Sequence, residues 1–313
     1  MVTGVVSSDI YQQHRTGPHH PESPERIKYI NTIVEELSVN HAIKVYKPNK
    51  ISMDIISAVH SRSYISAFQA AVEAQSDWFA TMDNPISSRS YEVAVSAVSG
   101  TIRAVDLVMN GDVDNTMALV RPPGHHAETN RAIGFCFFNN VAAAARYTQT
   151  QYKLNRIAII DFDVHHGNGT QHIFQSDPSV YYFSIHQFPF YPGTGEEKEQ
   201  GTNDGLGYTK NYPLPAGTDE KVYFDILEND LADKLLSYRP EMIILSAGFD
   251  AHVYDPIGDM RVTSAGFGQI TKIISDLAQS TCAGRIVSVL EGGYSLQGLA
   301  ESVREHLLTL ATM

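Results

Sequence analysis

The sequence predicts an α/β protein built on a central parallel sheet flanked by helices on both faces. Three observations carry this. Five short apolar runs, at 114–120, 157–160, 180–186, 242–250 and 285–290, have the composition of buried strands. Helical-period segments alternate with them, and each run ends in polar or glycine-rich residues. Right-handed strand–helix–strand units lay such strands parallel, and ligands bind beyond their carboxyl ends. That rule alone draws residues 121–126, residues 161–166, His186, Asp250 and Tyr294 to one edge.

Taken in order, Ser23 and Pro24 supply the N-cap and first position of a helix over 25–37. Just before them, His19 and His20 are flanked by prolines and read as rigid surface. Helices follow over 51–60, 61–75 and 87–110, the last with Val93, Val95, Ala97, Val98 and Ile102 on its apolar face. The strand at 114–120 runs into Arg121-Pro122-Pro123-Gly124-His125-His126-Ala127, where proline and glycine forbid regular structure and hold two histidines on a stiff loop. An aromatic run at 134–140 leads into an alanine-rich helix over 141–152. The strand at 157–160 precedes a short helix from Gln171 and the strand at 180–186.

Residues 187–217 contain six glycines and no periodicity, and read as a long loop that shapes a binding surface. Thr218 is the expected cap of a helix turning Val222, Ile226, Leu227, Leu231 and Leu235 to the core. A strand at 242–250, a helix over 263–279, a strand at 285–290 and a helix from Leu296 complete the chain. No repeat or linker divides it, so residues 1–313 are expected to form a single domain.

A net charge of -12 without any basic run excludes nonspecific nucleic-acid binding. Cys136 and Cys282 are too few for a disulfide framework and lack Cys-x-x-Cys spacing. No leader pattern opens the sequence, and no window approaches the ~18 apolar residues of a membrane span. The expectation is a cytoplasmic protein that binds neither membrane nor nucleic acid.

The chemistry centres on Ile157 to Gln171, where an apolar strand discharges into Asp161-Phe162-Asp163-Val164-His165-His166-Gly167-Asn168-Gly169. If strand geometry persists to His165, alternation puts Asp161, Asp163 and His165 on one face. Unpaired buried carboxylates are too costly to be a packing solution, so oxygen and nitrogen donors here call for zinc or a similar divalent ion. The alternative is a solvated strand end. Asp250, closing another strand, completes an Asp, His, Asp set with a position open for water. His125 and His126 are candidates for general base and acid, and Tyr294, after two glycines, for a phenol donor to an oxyanion. The product is a metal-assisted hydrolase acting on a carbonyl, amide hydrolysis above all.

Residues 121–127, 134–139, 161–171, 191–195, 247–252 and 291–294, in this order, closely resemble the signatures of the zinc-dependent histone deacetylase family. Gly167-Asn168-Gly169-Thr170-Gln171 and Asp255-Pro256 resemble its class II branch, which includes bacterial deacetylase-like amidohydrolases and acetylpolyamine amidohydrolases. The resemblance implies the arginase/deacetylase-like fold, one zinc held by Asp163, His165 and Asp250, and a deacetylase that releases acetyl or other acyl groups from lysine side chains.

It also implies that Asp161 pairs with His125, and that Asn168 stands where class I members place an aspartate beside the second histidine, leaving His126 without a carboxylate. Tyr294 matches the catalytic tyrosine. Gly134, Phe135 and Tyr191 match the walls of the acyl-lysine tunnel, Ile257 its rim, and Arg26 an internal acetate-release channel. Potassium sites are implied near Asp161, Asp163, His165 and Ser184, and near Phe174, Val180 and Tyr208. Polyamine-selective relatives place a glutamate at the rim, and Ile257 here favours acylated lysine peptides or proteins over small acylated amines. An arginase-like two-metal site needs more carboxylates than Asp161, Asp163 and Asp250 provide. A noncatalytic acyl-lysine binding module is the alternative of another class.

Overall fold

The computed structural model describes residues 1–312. Eight strands form one sheet: β1 Thr3–Val6, β2 Ile43–Tyr46, β3 Asn115–Ala118, β4 Ile157–Asp161, β5 Val180–Gln187, β6 Thr209–Leu214, β7 Met242–Ala247 and β8 Ile286–Leu290. Every pairing is parallel, in the order β2-β1-β3-β8-β7-β4-β5-β6. The five strands expected from apolarity are β3, β4, β5, β7 and β8, and all are buried along their whole length.

The other three have no such signal. β2 and β6 lie at the sheet edges and are partly exposed, while β1 is only Thr-Gly-Val-Val. Their main chains are held by a neighbour's hydrogen bonds, so side-chain polarity says little about them. Residues 187–217 are therefore not structureless: a turn at Asn203–Gly205 and strand β6 lie within them.

Helices pack in layers on the sheet. Ser90–Met109 covers β1, β3 and β8 and meets Asn140–Tyr152, while Ser264–Cys282 and Leu296–Thr312 pack on each other, with Glu25–Asn40 alongside. Several ends differ from expectation. The first helix starts at Glu25 with Pro24 at its cap and no side-chain bond there, leaving Ser23 outside. Only Met53–Ser57 forms within 51–60. Asn168–Phe174 begins before Gln171, and Asp219, not Thr218, caps Glu220–Ile226 by accepting from Lys221 N–H.

Val222 is exposed rather than in the core; Ile226, Leu227, Leu231 and Leu235 are buried as expected, and Tyr223, Leu227, Leu231 and Leu235 form a row at every fourth residue. That spacing of four overshoots an α-helix by about 40° per step. One turn of π-helix at Leu227–Leu231 offsets this drift, and the stretch packs against the helix Ser264–Cys282.

Candidate active site

Strands β3, β8, β7 and β4 are consecutive neighbours, so the segments after them meet at one edge. β4 stops at Asp161, and strand alternation does not continue to His165. Asp161 accepts Asp163 N–H at 3.2 Å and Asp163 accepts His165 N–H at 2.9 Å, each aspartate binding the main chain two residues on. Such local bonds replace a strand ladder, and they turn the two carboxylates to different partners. Asp161 Oδ2 meets His125 Nδ1 and the Tyr182 hydroxyl, each at 3.1 Å.

Asp163, His165 and Asp250 instead converge, with donor atoms all within 4.8 Å of one another. His165 Nδ1 lies 3.0 Å from Asp163 Oδ1 and 3.2 Å from Asp250 Oδ2. All three are buried, and Asp250 Oδ2 has no hydrogen-bond partner. A buried orphan carboxylate oxygen facing an imidazole nitrogen is costly unless a cation joins them, so this set fits a divalent ion. Gly292 N–H donates to Asp163 Oδ2 at 2.8 Å, and a Cβ at Gly292 would collide with the Asp250 and Asp163 carboxylates.

The two loop histidines stand side by side, rings 4.0 Å apart, in opposite electrostatic states. Burial opposes charge on His125, but Asp163, Asp161 and Glu291 outweigh it and raise its pKa to about 10. Burial, and then the neighbouring His125 and His165, drive His126 well below the usual imidazole value. Asn168 meets His126 through Oδ1, 2.8 Å from Nδ1, an uncharged acceptor whose pull towards the charged ring is outweighed by burial and the neighbouring imidazoles. The sheet edge thus carries one cationic and one neutral imidazole.

A cavity of about 280 Å³ opens over this cluster, with His126, His165 and Tyr294 on its lining. Gly134, Phe135, Tyr191 and Ile257 line it as expected, together with Phe190 and Asp83, which sequence reasoning missed. Gly134 has φ +61°, and a Cβ there would strike the His126 ring, so the wall can approach His126 only as glycine. Phe190 stacks on His165 at 5.2 Å, and Asp83 accepts Gly134 N–H at 2.9 Å.

Of the residues expected to contact substrate, Arg26 is the one absent from this cavity. It is fully buried, donates to Gly293 O, Glu291 O and Glu22 at 2.7, 2.6 and 3.0 Å, and lies 5.1 Å from the Tyr294 ring centroid. Its guanidinium braces the segment bearing Tyr294. His186, drawn to the edge by topology, binds Ser184 and Gly195 O.

Two further carboxylates, Glu291 and Asp255, lie in the quoted signatures but were assigned no site role from the sequence. Glu291 Oε2 accepts Gly124 N–H at 2.6 Å and His125 N–H at 3.2 Å, and Asp255 accepts Tyr294 N–H at 2.7 Å. The signal for Glu291 was present: it is a carboxylate ending an apolar strand, directly before Gly292-Gly293-Tyr294.

The histone deacetylase domain profile matches residues 20–310. The chain belongs to the histone deacetylase family. A probable deacetylase of Archaeoglobus fulgidus is 38% identical over 95% of this chain and 83% of its own length. A histone deacetylase-like amidohydrolase of Pseudomonas aeruginosa is 34% identical over 88% of this chain and 73% of its own. Among solved structures, the crystal structure of the HDA15 HD domain superposes with a TM-score of 0.92 at 32% identity, covering 99% of this chain and 89% of that one. The fold is the arginase/deacetylase-like α/β fold of these histone deacetylase relatives.

Proposed function

We propose that this family member is a zinc-dependent amidohydrolase that removes acetyl or other acyl groups from the terminal amine of lysine side chains. The observation that carries it is the buried Asp163, His165, Asp250 cluster, with its unpartnered Asp250 oxygen, beneath an aromatic-walled cavity. Phe135, Phe190 and Tyr191 suit a linear apolar chain whose amide carbonyl reaches the cluster. When bound by these three residues, zinc supplies Lewis acidity toward the carbonyl and lowers the pKa of a water to near 7.

The protein's own groups divide the remaining work. His126 is neutral, so it is the base that takes a proton from the attacking water and returns it to the departing amine. His125, held cationic by Asp163 and by its partner Asp161, contributes fixed positive charge and not proton transfer. Tyr294, kept protonated by burial and the nearby Asp250, donates its phenol hydrogen to the developing oxyanion. The protein is further proposed to act in the cytoplasm and to hold structural potassium near Asp161 and Ser184, which are register partners across β4 and β5.

Asp83 on the cavity lining supports a second reading, an acetylpolyamine amidohydrolase, because a carboxylate there attracts a distal ammonium. The test is mass-spectrometric assay of zinc-loaded protein against acylated lysine peptides, acetylspermidine and acetylputrescine. Lysine peptides are expected to turn over fastest, with Tyr294→Phe retaining metal and losing on the order of 100-fold in kcat. Preference for polyamines selects the second reading. Metal-loaded protein that binds acyl-lysine without turnover is a binding module instead.

A further inference from the structure

Glu128 has no part in the mechanism above, yet it touches the group that touches the base. Its Oε1 accepts the Asn168 side-chain N–H at 2.6 Å, and Asn168 Oδ1 lies 2.8 Å from His126 Nδ1. A carboxylate can only accept, so the end of the amide that faces Glu128 is its NH2 and the end that faces His126 is its oxygen. An oxygen opposite Nδ1 requires the imidazole proton to sit there, which leaves Nε2 with its lone pair. Turned over, the same asparagine would present NH2 to Nδ1 and move the proton to Nε2, the wrong tautomer for a base.

The remaining contacts hold Glu128 in place for this. Its main-chain N–H donates to Arg131 O at 2.9 Å, its carbonyl lies 3.0 Å from His60 Nδ1, and His172 Nδ1 shares its Oε1 at 2.8 Å. We propose that Glu128 is a positioning residue that, through the Asn168 amide, fixes His126 as the Nδ1-protonated tautomer with Nε2 free to accept a proton. A carboxylate placed directly on Nδ1 would orient the ring equally well but would favour its cation. Interposing an amide keeps the orientation and leaves the ring neutral.

This inference rests on His126 being the base, and its test separates the two. Glu128→Ala should lower kcat on the order of 10- to 100-fold with KM and zinc content little changed. Glu128→Gln, which keeps an acceptor oxygen, should restore most of the rate. Nitrogen-15 NMR, with the His126 signals identified by their loss in His126→Gln, should show protonated Nδ1 and bare Nε2 in the wild type and mixed tautomers in Glu128→Ala. Wild-type turnover by Glu128→Ala, or a wild-type His126 protonated at Nε2, overturns the proposal. Should the wild type hydrolyse no acylated amine, the reading of function fails, while the tautomer spectra still decide the role of Glu128.

Discussion

The Asp255 carboxylate receives the main-chain N–H of Tyr294 at 2.7 Å and, through its other oxygen, that of Ile257 at 3.0 Å. Ser295 and Gly258 N–H donate to it at 3.2 and 3.4 Å. One side chain thereby joins the segment bearing the phenol to the rim of the cavity. Bonds to a carboxylate are the strong kind, and here they set where the phenol stands. Asp255→Ala is expected to lower kcat on the order of 10-fold to 100-fold with zinc content unchanged, measured by steady-state assay beside metal analysis. A variant with unaltered kcat would remove Asp255 from the positioning of Tyr294.

Gly292→Ala tests the metal cluster without replacing a donor residue. The added methyl falls on the Asp250 and Asp163 carboxylates, so bound zinc should drop well below one per chain while the fold persists. Metal analysis and a thermal melt on the same sample separate the two effects. Full zinc occupancy would show that the cluster can be displaced without losing its ion.

Gly134→Ala addresses the cavity wall. It places a Cβ against the His126 ring and asks a residue with φ +61° to carry a side chain, a conformation alanine adopts at a cost of about 1 kcal/mol. Loss of kcat with a modest fall in melting temperature is the expected result. A wild-type rate would mean that the wall and the base are not in register.

Stability should decline on acidification. Burial lowers His14, His166 and His306 to about 3, and His60 and His186 to about 4, from an ordinary value of 6.5. Below 6.5 the unfolded chain binds protons that these neutral rings refuse. Each therefore contributes stability that is present above 6.5 and is lost as pH falls toward 4, at up to about 1.4 kcal/mol per pH unit. Glu291 works in the opposite sense: burial raises it to about 7, and its protonation favours the folded state as pH falls from there toward 4.5. Asp250, Asp161 and Asp255, also raised by burial, act with Glu291, while His126 and His252, also lowered, join the other five histidines. Seven groups oppose four, so melting temperatures measured from about pH 7 to 4 should fall; a flat profile contradicts the burial of these rings as neutral species.

What the sequence revealed follows from where each signal is stored. β4 and β7 are buried on both sides and announce themselves by apolarity, whereas β6 is a polar edge strand whose order comes from β5. Pattern alone left Asp161 and Asp163 equivalent, because it assumed a strand where the two aspartates instead bind their own backbone. Glu128 and Asp255 were silent as site residues for a related reason. Their work is done on partners 40 and 39 positions away, distances over which no local spacing rule operates.

The order of the sheet has a consequence for biosynthesis. β8 leaves the ribosome after every other strand, yet it lies between β3 and β7 and joins the two halves. Until it docks, a nascent chain has two exposed apolar edges, and Gly292 and Tyr294 cannot arrive. Chains stopped before Ile286 should therefore self-associate, which sedimentation of such truncations would reveal. The strand that joins the two halves of the sheet is thus also the one that delivers Gly292 and Tyr294 to the carboxylate cluster and the cavity.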